Sequence, residues 1–83
     1  MTITPAMQQF YDLKEQVPDS LLFFRMGDFY ELFWEDAHIA HRVLWISVTT
    51  RNKKAENPVP VAGIPDHAKS KYLPQLVNAG YKV

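Results

Sequence analysis

The sequence predicts a small α/β domain in which one mixed β-sheet is flanked by about three helices. Two kinds of apolar spacing alternate along the chain and support this class. Apolar residues three and four positions apart indicate amphipathic helices, whereas short apolar runs and strict alternation indicate strands. With 83 residues, of which 47% are hydrophobic, the chain can form a single core. We therefore expect one domain over residues 1–83.

The first helix is predicted to begin at Pro5, with Thr4 as its N-cap, and to end at Pro18. The residues predicted on its buried face are Ala6, Phe10, Leu13 and Val17. A buried strand follows at about residues 21–26, because positions 21–24 form a continuous apolar run.

Gly27 is expected to turn the chain sharply, because glycine adopts a positive φ without steric cost. A second helix is predicted over about residues 30–44. The residues that recur there at helical spacing are Phe33, Ala37, Ala40 and Leu44. Phe29 would then lie where the strand passes into the helix, and turns of this kind often carry functional residues.

Two further strands are predicted in the second half of the chain. Residues 46–51 alternate apolar and polar side chains, which is typical of a half-buried strand. A polar loop at residues 52–58 separates it from a third strand at 59–62, and we expect these two strands to pair antiparallel. Pro60 lacks a backbone donor, so the third strand should lie at a sheet edge or contain a bulge.

Pro74 determines the prediction for the third helix. Inside a helix it removes a hydrogen bond, so the helix should begin near Ser70 or kink just before the proline. Gly80 is a helix stop, and residues 81–83 have the character of a further strand. A domain rarely ends on the first residues of a strand. We therefore expect a C-terminally truncated domain, a piece of a longer chain.

The composition narrows the class of protein. The chain has no cysteine, which excludes disulfides and thiolate metal sites and favours a reducing cytoplasm. It has no apolar run of the roughly 20 residues that a membrane helix needs, and its amino terminus lacks the pattern of a signal peptide. We therefore expect a soluble cytoplasmic protein without a membrane partner.

The charges are segregated although the net charge is +0. Residues 1–40 carry two basic and seven acidic side chains, whereas residues 41–83 carry seven basic and two acidic ones. This asymmetry is compatible with a basic patch that contacts phosphate, or with two faces that neutralise each other in the fold. Composition does not choose between them.

Phe29 and Glu31 are the candidates for a functional role in the motif of residues 25–31. Burial tendencies alone favour a core role for Phe29. However, Tyr30 and Phe33 already supply aromatic side chains to the core, and an exposed phenylalanine can stack on a base or enter between base pairs. Glu31 could simply be a first-turn helix acid. Beside DNA it would be repelled by phosphate unless it bonded a base edge.

Other candidates have simpler interpretations. Arg51, Lys53 and Lys54 are either a solvated loop or phosphate contacts. His38 and His41 are three residues apart on a helix but have no third ligand in register, so we expect no metal site. The glycines do not form a phosphate loop, and no nucleophile with a base and an acid is recognisable. The chain itself is expected to be no enzyme and to hold no cofactor.

The order of several motifs resembles one known family. The matching segments are residues 4–9, 24–33, 46–51, 60–65 and 72–80, with the motif Gly-x-Phe-Tyr-Glu at 27–31. With these motifs the chain resembles the amino-terminal mismatch-recognition domain of the bacterial MutS family of DNA mismatch repair proteins. The resemblance extends over nearly the whole sequence.

The resemblance implies roles for particular residues. Phe29 would be a wedge that stacks on the mispaired base from the minor groove, and Glu31 would hydrogen-bond that base. Possible backbone-contacting or supporting residues are Arg51, Gly27, Asp28 and Pro65. Three positions depart from the pattern: Thr50 replaces a common basic residue, Asp66 replaces a common aromatic, and Pro74 occurs in only some members.

The resemblance also implies a context. The parent protein would be a homodimeric ATPase that uses ATP and Mg, binds DNA with mismatches or small loops, and acts with downstream repair factors near the nucleoid. Two alternatives remain open. A MutS-like recombination protein usually lacks the Phe and Glu pair present here, and a protein-protein interaction module would dock Phe29 in a partner's groove.

Overall fold

The computed structural model describes residues 5–51 and 58–83 and confirms the predicted α/β class with three helices. In chain order the elements are α1 (Pro5–Gln16), β1 (Phe24–Met26), β2 (Phe29–Phe33), α2 (Glu35–Leu44), β3 (Thr49–Arg51), β4 (Val59–Pro65), a 3-10 turn (Asp66–Ala68) and α3 (Lys69–Asn78). Within these described ranges, none of the helices has the length and apolar character that crossing a membrane requires.

The four strands form one sheet in the order β1-β2-β4-β3, and each neighbouring pair is antiparallel. The predicted antiparallel pairing of the second and third strands corresponds to β3 and β4 and is confirmed. A parallel pairing is present only as an isolated bridge between Ser20 and Lys82 in the described part of the chain. Residues 81–83, predicted as the start of a strand, form no strand beyond this bridge.

Helices cover both faces of the sheet, because the strands alternate apolar side chains between them. On one face α1 packs against the sheet, and this cluster contains Met7, Phe10, Phe24, Phe33, Val59 and Val61. On the other face α2 and α3 pack against it, and that cluster contains Leu21, Leu32, Ala37, Ala40, Leu44, Ala62, Ile64 and Leu76. The sheet is therefore the middle of three layers.

The turn at Gly27 leads into a second strand, so the prediction that it leads into a helix from residue 30 is wrong. Residues 29–33 pair with both β1 and β4. They carry apolar side chains on both sheet faces, with Leu32 on one and Phe33 on the other, which resembles a helical pattern over a short window. The chain leaves the sheet at Trp34, where φ is 56°, and α2 begins at Glu35.

Further boundaries differ from the predictions. The third strand, predicted at 59–62, extends to Pro65 as β4. The strand predicted at 21–26 is formed only at β1, and the strand predicted at 46–51 only at β3. Ile46 and Val48 are half-buried against the α2 side of the core without joining the ladder. Apolar character therefore predicted the burial of these segments correctly, but their pairing depends on partners distant in sequence.

The buried face of α1 also differs from the prediction. Met7 and Phe10 are buried, whereas Leu13 and Val17 are 43% and 38% exposed. Lys14 instead turns inward, where its Nζ lies 3.0 Å from Oδ2 of the buried Asp36 and also donates to the carbonyl of Ser20. The predicted cap at Thr4 lies outside the described residues, as do residues 52–57 of the loop predicted at 52–58.

Pro60 lies in an interior strand, so the prediction of an edge or a bulge is wrong. Its Cα partner in β3 is Thr50, and its carbonyl accepts a hydrogen bond of 3.1 Å from the backbone N–H of Trp34. The N and O of one strand residue point to the same neighbour. The backbone N–H that Pro60 lacks would therefore point toward Trp34, which lies just beyond the end of β2.

The third helix follows the prediction closely. It begins at Lys69, one residue before the predicted Ser70, and contains Pro74. It ends at Asn78, and Gly80 adopts φ 98° while the N–H of Tyr81 bonds the carbonyl of Leu76 at 3.1 Å. The predicted glycine stop is therefore confirmed.

Candidate functional site

The hairpin between β1 and β2 builds the candidate site. Gly27 and Asp28 form its two-residue loop, which brings Met26 and Phe29 directly opposite each other. Gly27 has φ 62°, whereas Asp28 is not among the residues with positive φ. This is the pattern of a type II′ turn, which favours glycine at its first central position. Glycine is needed there because other residues are strained at this φ.

Phe29 is the first residue of β2, and its side chain is 49% exposed. Its cross-strand partners, Met26 and Pro65, lie on the same sheet face. A methyl group built on Gly63 would lie 3.9 Å from Cδ1 of Phe29, so the ring also passes over this glycine. Phe29 is thus supported from below by the sheet while about half of its surface faces outward.

Glu31 lies on the same face as Phe29, because side chains two residues apart in a strand point the same way. The two Cα atoms are about 7 Å apart at the usual rise of a strand. Its Cα partners are Phe24 in β1 and Gly63 in β4. Glu31 is half-buried and belongs to a strand, so the interpretation as a first-turn helix acid is wrong. Glu35 and Asp36 occupy that position in α2.

The back of the hairpin carries a polar network around Tyr30. Its hydroxyl accepts hydrogen bonds from Arg25 at 3.1 Å and from Lys69 at 3.4 Å. Arg25 also pairs with Asp66, with 2.8 Å between Nη1 and Oδ1. The hydrogen bond to Tyr30, and next the charge of Asp66, raise the pKa of Arg25 despite some opposing desolvation. Arg25 therefore carries a constant positive charge behind the hairpin.

The predicted site residues fall into two places. Phe29, Glu31, Gly27, Asp28 and Pro65 all belong to the hairpin or to the adjacent end of β4.

Arg51 is not brought to them. Its backbone pairs with Val59, which is six residues from Pro65 along β4, or about 20 Å at the usual rise of a strand. Lys53 and Lys54, predicted with it as possible phosphate contacts, lie outside the described residues.

Sequence reasoning missed three neighbours of the site, Met26, Arg25 and Asp66, and it did not predict that Gly63 lies opposite Glu31. Met26 and Gly63 follow once β2 is recognised as a strand, because they are its cross-strand partners. The Gly-Asp pair between two apolar runs was an available hairpin signal. Arg25 and Asp66 are 41 residues apart, and no local pattern predicts their contact.

The ring of Phe29 is exposed at the surface of the hairpin. A cavity of about 380 Å³ lies behind it, on the opposite sheet face, where Tyr30 and Lys69 contribute to a mostly apolar lining. Among residues 5–51 and 58–83, no three potential ligands are grouped so as to hold a metal ion. On the face of β2 that carries Phe29, the hairpin therefore presents an exposed aromatic ring with a half-buried carboxylate beside it, an arrangement suited to binding.

The family model and the similar proteins found by comparison point to the same family. The family model described as MutS domain I matches residues 4–83. The relatives found include proteins named DNA mismatch repair protein MutS from Streptococcus suis (strain 98HAH33), 58% identical over 81 residues, and from Lactococcus lactis subsp. cremoris (strain MG1363), 56% identical over 81 residues. Each alignment covers 98% of this chain and 10% of the relative. The chain thus spans about a tenth of the length of these relatives.

Proposed function

The chain belongs to the MutS domain I family, and on this basis we propose that it probes duplex DNA for mispaired bases within a larger mismatch repair protein. One structural observation supports this role in addition to the family membership. Phe29 is 49% exposed at a hairpin, with Glu31 on the same face of the same strand. An aromatic ring in this position can stack on a base while the carboxylate reaches the edge of the same nucleotide.

The proposed wedge works by testing how easily DNA deforms. A side chain that enters between base pairs from the minor groove must unstack a step and kink the duplex, at a cost of a few kcal/mol. A mispaired step deforms at lower cost than a paired one. Phe29 therefore remains inserted only where unstacking is inexpensive, and it can detect errors of different sequence. The sheet beneath the ring supports this role, because a wedge must not fold back when pushed.

Glu31 is proposed to hydrogen-bond the base on which Phe29 stacks. The imino N–H of thymine is a donor and suits an ionised carboxylate, whereas N7 of a purine is an acceptor and requires a protonated one. The same side chain can thus serve different mispaired bases.

The remaining residues have supporting roles in this proposal. Gly27 permits the turn, Asp28 forms its tip, and Pro65 flanks Phe29 at the end of β4. Arg51 would contact a phosphate separately from the wedge, because about 20 Å corresponds to about six base steps. Such a contact fixes the register of the protein on DNA without reading sequence.

The wider context is also a proposal. The parent protein would be a homodimeric ATPase of the bacterial cytoplasm, associated with the nucleoid, that binds mismatches or small loops and engages downstream repair factors. ATP and Mg would belong to parts of the parent protein other than this domain. The domain itself would bind DNA without hydrolysing anything.

The test is the Phe29→Ala variant of the parent protein. We expect its preference for mismatched over paired duplex to fall about 5- to 150-fold, because stacking on a base contributes about 1–3 kcal/mol. Binding would be measured on two duplexes that differ only at the mismatch. Trp45→Ala is the matched control, since Trp45 is an 87% exposed aromatic at the end of α2 and should leave the preference unchanged.

The two alternatives predict other results. A domain that docks Phe29 in a protein groove would bind without the steep salt dependence of DNA contacts, since no counterions are released. A recombination protein of the MutS type would bind DNA without preferring the mismatch. Full mismatch preference in the Phe29→Ala variant would show that the ring is not the wedge.

A further inference from the structure

The two residues of the hairpin loop are held from behind by side chain and backbone groups of Arg25 and Asp66. Nε of Arg25 donates to the carbonyl of Gly27 at 2.6 Å. The backbone N–H of Asp66 donates to the carbonyl of Asp28 at 2.8 Å. The guanidinium and the carboxylate then join at 2.8 Å. The two loop carbonyls are therefore bonded by the two residues of one ion pair, that of Gly27 by a side chain and that of Asp28 by a backbone N–H, and the pair links β1 to the end of β4.

Tyr30 completes this arrangement. Its hydroxyl accepts from Nη1 of Arg25 at 3.1 Å, and the guanidinium carbon lies 5.1 Å from the centre of its ring. Arg25 therefore makes three directed hydrogen bonds and a cation-π contact at once, which a planar guanidinium can do and an ammonium cannot. Lys69 packs against the same ring, with its Nζ 5.2 Å from the ring centre.

We propose that Arg25 and Asp66 are positioning residues, a clamp that fixes the angle at which the hairpin presents Phe29 to DNA. The inference deepens the proposed function and rests on it. A wedge senses the stiffness of a base step only if the protein behind it is stiffer than that step. The two-residue loop is exposed and has little packing of its own, so its carbonyl contacts supply the stiffness.

The ion pair also has a competing interpretation. Arg25 and Asp66 have side chains that are 50% and 47% exposed, and an exposed arginine beside a DNA-binding hairpin could instead contact a phosphate. Asp66 argues against this, because its carboxylate already occupies Nη1 and would repel phosphate.

The experiment uses the parent protein with three variants: Arg25→Gln, Arg25→Lys and Asp66→Ala. Affinity is measured for mismatched and paired duplexes of identical flanks, at low and physiological salt. We expect each variant to lower the ratio of the two affinities about two- to fivefold, as is usual for loss of an exposed ion pair. Arg25→Gln combined with Asp66→Ala should lose no more than about either alone, because both break one clamp.

Hydrogen exchange of the hairpin amides is the second measurement. Exchange over residues 24–33 should quicken in all three variants, while the peptides of α2 and α3 should exchange as in the wild type. Arg42→Gln is the matched control. It removes another exposed arginine that donates to a tyrosine hydroxyl, that of Tyr81 at 3.2 Å, at a distance from the hairpin, and it should change neither the ratio nor the exchange of the hairpin.

Arg25→Lys separates the two interpretations most sharply. A clamp needs the guanidinium, so lysine should behave like glutamine. A phosphate contact needs only the charge, so lysine would retain binding while glutamine weakened both duplexes equally and reduced the salt slope by about one. That outcome, or unchanged ratios in all variants, overturns the clamp. If the wild type itself shows no mismatch preference, the proposed function fails instead.

Discussion

The sheet face that packs against α1 is covered by this helix at one end and is exposed at the other. Phe29 and Phe33 belong to the same strand and point to the same side, yet Phe33 is 1% exposed and Phe29 is 49% exposed. Phe33 lies under α1, where its ring centre is 4.8 Å from that of Phe10. Phe29 lies at the other end, beside Met26 and Pro65. Residue type and membership of the strand therefore do not decide whether a phenylalanine is buried in the core or exposed on the surface.

The position of α1 decides it. Phe10 contacts Phe24 as well as Phe33, with ring centres 6.2 Å apart in the first pair, so the helix is anchored by an aromatic cluster. The ion pair of Lys14 with the buried Asp36 ties the same helix to α2. Asp36 also accepts from the backbone N–H of Leu22 at 3.1 Å. One half of the face is thereby sealed, and the half next to the hairpin remains available.

The largest effect is expected at Phe33, in the half of the sheet face that α1 covers. Phe33→Ala should destabilise the domain by about 3–5 kcal/mol, because it leaves a cavity in an aromatic cluster that cannot fully collapse. Hydrogen exchange of β2 and β4 in the parent protein measures this loss directly. The comparison variant is Phe29→Ala, which should alter exchange little while removing the mismatch preference. Equal destabilisation by both variants would mean that the two ends do not differ as described.

An intermediate effect is expected at Glu31, between the two phenylalanines. Glu31→Ala should erode the mismatch preference by about 1–3 kcal/mol, because a base edge loses its hydrogen-bond partner. Glu31→Gln keeps the shape and removes the charge, so affinity should be retained or increased where phosphate repulsion opposed it. Both are measured on matched and mismatched duplexes of identical flanks. If neither affinity nor preference changes, Glu31 has no part in mismatch recognition and the proposed role rests on Phe29 alone.

The smallest effect is expected at Gly63, which lies under the ring of Phe29. A methyl group there would meet Cδ1 of Phe29 at 3.9 Å, an ordinary contact, and the φ of Gly63 is not positive. Gly63→Ala should therefore be neutral or stabilise by about 0.4–1 kcal/mol, because alanine restricts the unfolded chain. Mismatch binding should persist. A clear loss of binding would show that DNA approaches the backbone of β4 and needs the space.

The site was partly predictable from the sequence. Phe29 and Glu31 were identified as candidates from the motif and from the resemblance to the family, and their roles remain predictions. The secondary structure around them was predicted wrongly. The spacing of Phe33, Ala37 and Ala40 is typical of a helix, and the sequence does not show that residues 29–33 pair with other strands. The contact of Arg25 with Asp66 has no local signal at all. It depends on β4 returning to the hairpin after some forty residues.

The sequence by itself determined the class of the fold, most of the buried residues, the glycine turn and the family. These follow from local chemistry: apolar spacing decides which side chains can leave water, and glycine alone adopts the φ of the turn at little cost. Only the tertiary structure decided that residues 29–33 pair as a strand, that Pro60 lies in an interior strand, and that α1 stops short of Phe29. Strand pairing and helix docking join residues distant in sequence, so their outcome depends on which partners meet in the folded chain.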